Sequence, residues 1–105
     1  MADCDAGHGC SISCSGGCGA IYNHSTGKCT KWCESSIREV DPAAFDGDFS
    51  IEINDVSVGT LASVIGETRL GTNFKSLQGA GAKISLKLPS TNLAGVIAEI
   101  GKQAL

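Results

Sequence analysis

Eight residues able to bind a metal ion through sulfur or nitrogen lie in the first third of the chain. They comprise every cysteine and histidine of the 105-residue sequence, namely Cys4, His8, Cys10, Cys14, Cys18, His24, Cys29 and Cys33. A three-residue gap recurs between them, from Cys4 to His8, Cys10 to Cys14, Cys14 to Cys18 and Cys29 to Cys33. Structural zinc takes four sulfur or nitrogen ligands, usually supplied as two short-spaced pairs. The sequence therefore predicts one or two structural zinc ions.

Eight ligands are enough for two closed zinc sites. One partition groups Cys14, Cys18, Cys29 and Cys33, which leaves Cys4, His8, Cys10 and His24 for the second ion. Two alternatives stay open. Six cysteines allow three disulfides with fifteen pairings, and the same residues suit an iron–sulfur centre or a thiol redox site.

The start of the chain favours zinc over disulfides. The first five residues, Met1 to Asp5, include neither the positive start nor the apolar run of a secretory signal. We therefore expect a cytoplasmic protein with reduced thiols. If Met1 is not the natural start, a periplasmic or secreted location and disulfides become the expectation.

The composition changes after Glu34. Residues 1–34 hold few large apolar side chains and no regular hydrophobic period, so we expect an irregular segment that only cross-links can order. Residues 35–48 contain the turn signals Asp41-Pro42 and Asp46-Gly47-Asp48 and are predicted to be a linker. Residues 49–105 are predicted to form a small α/β domain.

Two periodicities alternate in this second part. Residues 49–54 and 83–88 alternate apolar with polar side chains, as half-buried strands do. Residues 58–65 and 93–104 carry apolar stripes at helical spacing, and Asp55 or Ser57 can cap the first helix. With a short strand at 72–77, the prediction is an α+β fold of βαββα order. Its three-stranded sheet carries both helices on one face.

Residues 49–104 resemble the short N-terminal domain that secretins share with TonB-dependent transducer receptors. The matching stretches are Ile51–Val58, Leu61–Ile65, Glu67-Thr68, Asn73-Phe74, Gly81–Leu88 and Leu93–Ile97. The resemblance implies a bacterial protein–protein contact domain without catalytic residues. It does not extend to the cysteine-rich start.

These patterns predict a non-enzymatic, zinc-stapled module that binds another protein. The net charge of −3 without a basic stripe argues against nucleic acid, and no apolar run is long enough to insert into a membrane. The sequence indicates no catalytic residues and no organic cofactor. The alternatives are a disulfide-stabilised periplasmic or extracellular assembly or signalling domain of secretin type, and a small thiol redox or iron–sulfur protein.

Overall fold

The computed structural model describes residues 1–36, 40–65, 83–91, 95, 96 and 98, with the backbone alone for 42, 58, 62, 63, 65 and 83–91. The strands and the helix whose bounds the structure describes are β1 (Ala2–Asp5), β2 (Ser11–Cys14), β3 (Cys18–Asn23), β4 (Cys29–Cys33), β5 (Phe49–Ser57), α1 (Val58–Ile65) and β6 (Lys83–Thr91). Short 3₁₀ turns cover Glu34–Ser36 and Pro42–Phe45.

The strands form a four-stranded antiparallel sheet and a separate hairpin. The sheet has the order β4-β3-β5-β6, and β1 pairs with β2 in the hairpin. Strand β3 precedes the predicted linker and β5 follows it, yet the two pair from Cys18↔Asn54 to Asn23↔Phe49. One sheet therefore contains residues from both parts of the chain.

The hairpin covers one face of this sheet. Because side chains alternate along a strand, Cys18, Ala20 and Tyr22 of β3 share a face, and this face meets β1 and β2. Asn54 on β5 fastens the hairpin further, since its Nδ2 donates to the carbonyl oxygen of Asp3 at 2.7 Å. We call the buried residues here the cystine layer: Ala2, Cys4, Ala6, Cys10, Cys14, Cys18 and Ala20.

The opposite face carries large apolar side chains. The register places Ile21 beside Ile51 and Gly19 beside Ile53, and α1 packs against β5. Phe45 meets Phe49 edge to face at 5.5 Å between ring centroids. We call these buried residues the apolar layer: Ile21, Trp32, Phe45, Phe49, Ile51, Ile53, Leu61 and Val64.

The second part of the chain contains three of the predicted elements, but the prediction of a separate three-stranded sheet is wrong, because β3 and β4 of the first part join β5 and β6 in one four-stranded sheet. The strand from Phe49, the helix over 58–65 and the strand from Lys83 are confirmed. Ser57 caps α1, because its Oγ accepts a hydrogen bond from the amide of Thr60 at 3.3 Å. The predicted strand at 72–77 lies outside the described residues, as does most of the helix predicted over 93–104, where Gly95, Val96 and Ala98 are helical.

The first part of the chain differs from the prediction. Residues 1–34 were expected to be irregular, whereas they form four strands. Residues 1–34 hold few large apolar side chains, but small ones suffice here because three disulfides join the hairpin to the sheet. The structure is thus mostly strands in antiparallel sheets, and the βαββα order is not established.

Candidate functional site

All six cysteines are paired in disulfides. The pairs are Cys4–Cys18, Cys10–Cys29 and Cys14–Cys33, with sulfur–sulfur distances of 2.02, 2.07 and 2.06 Å. Each pair joins the hairpin or its turn to β3 or β4, so the three bonds tie the hairpin onto the sheet. No free cysteine is left.

The zinc prediction is therefore wrong. A metal needs deprotonated thiolates, and a sulfur engaged in a disulfide cannot supply one. In the part of the chain that the structure describes, no group of three or more histidine, cysteine or acidic side chains is placed to hold a metal ion. The spacing of the cysteines does not distinguish zinc ligands from disulfides. A gap of three residues also puts two cysteines on the same face of a strand, as with Cys29 and Cys33 on β4.

The two histidines meet outside the disulfides, around a tyrosine. The ring of His8 stacks on Tyr22 with centroids 4.4 Å apart and an interplanar angle of 15°. His24 stands edge-on to both rings, 5.3 Å from His8 and 5.2 Å from Tyr22. Both histidines are exposed and Tyr22 is half-buried. We call these three residues the ring cluster.

His8 reaches Tyr22 because of the turn between β1 and β2. Gly7, His8 and Gly9 all have positive φ, at 84°, 55° and 78°, a region that glycine adopts readily and other residues rarely. The turn closes through the amide of Cys10, which donates to the carbonyl of Gly7 at 2.9 Å. The flanking glycines thus allow the conformation that places the His8 ring over β3.

His24 is held from the backbone and from its ring. Its amide donates to the carbonyl of Asp48 at 2.9 Å, and its Nε2 lies 2.7 Å from the Oγ of Ser50, which is buried. Which of these two atoms donates depends on the histidine tautomer. Tyr22 and Ser50 are register partners on β3 and β5, so two neighbouring strands fix the geometry of the cluster.

The turn that carries His24 is fastened by a buried amide. Asn23 is 1% exposed, and its Nδ2 donates to the carbonyls of Ala44 at 3.1 Å and Asp46 at 2.7 Å. Its Oδ1 accepts from the amides of Ser25 and Thr26 at 2.9 and 3.1 Å. These bonds join the β3–β4 turn to the segment before β5 and thereby limit the motion of His24.

The ring cluster can make non-covalent contacts with another molecule. Aromatic and imidazole rings contribute stacking area, cation–π contacts and hydrogen bonds. The nearest ion pair among the described residues joins Lys28 to Asp41 at 3.9 Å, and both side chains are largely exposed, so its contribution to stability is small. Sequence reasoning gave Ser50 and Asn23 no role. The glycines on both sides of His8 are the signal in the sequence from which a special turn could have been predicted.

The chain matches no protein-family model, no curated protein and no solved structure. The resemblance of residues 49–104 to the secretin-type domain consequently stays a prediction. Among the described residues, no helix has the length and apolar character needed to cross a membrane.

Proposed function

We propose that this chain is a non-catalytic, disulfide-stabilised protein-interaction domain that works in an oxidising compartment and contacts its partner through the ring cluster. The observation that carries the proposal is the pairing of all six cysteines. Protein disulfides persist in the periplasm, the secretory pathway and the extracellular space, and they are rare in the cytosol. An interaction domain outside the cytoplasm agrees with this pairing.

The ring cluster has the properties of a contact surface. Interfaces are enriched in aromatic side chains, and tyrosine loses little conformational entropy on binding because it has only two side-chain torsions. His8 and Tyr22 are already stacked and His24 is anchored at Ser50, so most of the ordering has taken place before a partner arrives. Such preorganisation lowers the entropic cost of association.

The pair formed by His24 and Ser50 has the residue types of a nucleophile and its base. Ser50, however, is only 7% exposed and lies on a strand between two neighbours. A buried hydroxyl cannot approach a substrate carbonyl without a strand movement. This placement supports an anchoring role for Ser50 and a contact role for the cluster.

The test is capture of a binding partner by the immobilised chain from an extracytoplasmic extract of its source organism. His8→Asn combined with His24→Gln removes both imidazoles, and asparagine tolerates the positive φ at position 8. We expect this variant to recover at least about tenfold less partner, the loss of roughly one hot-spot contact. Ser15→Ala is the matched control, because Ser15 is exposed in the β2–β3 turn, at the other end of β3.

If the double variant and the wild type recover equal amounts of partner, the ring cluster is not part of the interface. If recovery falls equally for Ser15→Ala, the binding surface is not localised at the cluster.

Intact-mass measurement tests the disulfide pairing on which the proposal rests. The native protein should be six hydrogens lighter than its reduced form, two for each disulfide.

A second candidate is an assembly domain of secretin type. It is favoured by the strand Phe49–Ser57, the following helix Val58–Ile65 and the strand Lys83–Thr91, which are the elements that the resemblance implies for these residues. The same capture experiment separates the two candidates. An assembly domain would recover copies of its own chain or a pore subunit, and the ring-cluster variant would recover them undiminished.

A further inference from the structure

The three disulfides differ in how well solvent reaches them. Cys4 and Cys18 are 1% and 0% exposed, and Cys14 is 6% exposed and bonded to the half-buried Cys33. Cys10 is also fully buried, but its partner Cys29 is exposed at the start of β4. Of the six cysteines, Cys29 alone is exposed. Thiol–disulfide exchange needs a thiolate to reach one sulfur of the bond, and Cys10–Cys29, with its exposed Cys29, is the most accessible of the three bonds.

This bond lies beside the ring cluster. Cys10 ends the turn that carries His8, and its amide closes that turn on Gly7. Cys29 is the register partner of Tyr22, on which the His8 ring stacks. The disulfide therefore links the turn to the strand next to the tyrosine. Opening it removes the covalent link that holds His8 over Tyr22.

Two further disulfides hold the rest of the hairpin. Cys4–Cys18 joins β1 to β3, and Cys14–Cys33 joins β2 to β4. Both remain when Cys10–Cys29 opens. The reduced state also has a hydrogen-bond acceptor in place for its buried thiol, because the Sγ of Cys10 lies 3.4 Å from the carbonyl oxygen of Ile21.

We infer that Cys10–Cys29 is a thiol-exchange site for small extracellular or periplasmic thiols, and that its reduction releases the Gly7–Gly9 turn and dissolves the ring cluster while the fold persists. In the first step the thiolate of a dithiol attacks the Sγ of Cys29. A mixed disulfide forms, the bond to Cys10 breaks, and Cys10 leaves as a thiolate that takes up a proton. The second thiol of the reagent then displaces Cys29, which is protonated in turn. The protein gains two electrons and two protons, and the dithiol is oxidised to its cyclic disulfide.

The first test is partial reduction of the full chain with dithiothreitol, followed by alkylation with iodoacetamide and peptide mass spectrometry. We expect the first alkylated species to carry two groups, on Cys10 and Cys29, and to form at least about tenfold faster than any other pair, since access controls the rate. Earlier alkylation of Cys4 and Cys18, or simultaneous appearance of six alkylated cysteines without a two-group species, would overturn the inference.

The second test locates the structural consequence. In Cys10→Ser combined with Cys29→Ser, amide chemical shifts should change in the turn and around Tyr22 and His24, while the amides of Ala2–Cys4 in β1 and of Ile53–Ser57 in β5, which lie away from the cluster, keep their shifts. The matched variant is Cys14→Ser with Cys33→Ser, whose changes should centre on β2 and β4. If the first variant loses the shifts of β1 and β2 as well, the bond supports the whole hairpin and the inference fails. The inference rests on the exposure of residue Cys29 and not on the proposed partner contact, so the capture experiment can fail without affecting it.

Discussion

The two faces of the sheet are stabilised in different ways. The buried residues of the cystine layer are all alanine or cysteine, and three disulfides cross it. The apolar layer has no disulfide among its described residues and buries phenylalanine, isoleucine, leucine and tryptophan instead. One face is therefore held mainly by covalent links and the other by burial of apolar area. The same strand, β3, serves both faces through its alternating side chains.

The energetic consequence follows from side-chain size. Burial of a large apolar side chain stabilises a fold by about 1.5–3 kcal/mol, which alanine cannot approach. A disulfide compensates by restricting the unfolded chain. For sequence separations of 14, 19 and 19 residues, the chain-entropy relation gives about 3 kcal/mol for each bond. The hairpin face thus depends on oxidation to a degree that the helix face does not.

Truncation in the apolar layer should have the largest effect. Phe49 is fully buried, packs edge to face on Phe45 and pairs with Asn23 across the sheet. We expect Phe49→Ala to lower the free energy of unfolding by about 3–5 kcal/mol, since the transfer energy is lost and a cavity remains. Urea denaturation of the oxidised protein measures this free energy of unfolding. Ile12→Ala on the hairpin, where Ile12 is only half-buried, is the control and should cost much less. Similar losses for the two variants would contradict the division into layers.

Sequence reasoning located the elements whose signal is local. The alternation from Phe49, the helical stripe after Ser57 and the alternation from Lys83 each predicted an element that the structure contains. The hairpin face could not be predicted this way, because alanine, glycine and cysteine carry almost no hydrophobic period. The pairing of Cys4 with Cys18 depends on which strands become neighbours, and fifteen pairings are equivalent at the level of sequence. The ring cluster likewise arises from contacts between turns distant in sequence.

The choice of zinc over disulfides failed for a related reason. Thiolate ligands and half-cystines are the same residue at similar spacing, so the redox compartment decides between them. The compartment had been inferred from the sequence around Met1. One local signal favoured a strand with two cysteines on one face over a metal-binding loop. Cys29 and Cys33 lie four positions apart, and the residues between them include the β-favouring Thr30 and Trp32.

Removal of a buried disulfide should have the next largest effect. Cys4→Ala with Cys18→Ala deletes the bond between β1 and β3 and should lower the free energy of unfolding by about 3 kcal/mol. The loss of stability should be confined to the hairpin. Amide hydrogen exchange is expected to accelerate in Ala2–Asp5, whereas β5 keeps its protection because the apolar layer is intact. Equal acceleration in β1 and β5 would show that the two layers unfold as one unit, and the comparison would then fail.

The smallest of these effects concerns Asn23, a buried polar side chain at the border of the apolar layer. Its amide nitrogen faces the carbonyl oxygens of Ala43, Ala44 and Asp46 at 3.4, 3.1 and 2.7 Å. Asn23→Ala leaves these acceptors without their donor, and we expect a loss of about 2 kcal/mol in the free energy of unfolding. Urea denaturation measures this loss as well, with Ser25→Ala in the same turn as the control.

Asn23→Asp separates the contribution of the side-chain N–H donor from the contribution of the side chain's shape. Aspartate has nearly the same size, but its second oxygen would face the carbonyl groups that now accept hydrogen bonds. A buried carboxylate among acceptors is less favourable than a methyl group, so Asn23→Asp should destabilise the protein at neutral pH at least as much as Asn23→Ala. If the aspartate variant were as stable as the wild type, the side chain would act only as a filler. The link from the β3–β4 turn to the segment before β5, and with it the fixed position of His24, would then need another cause.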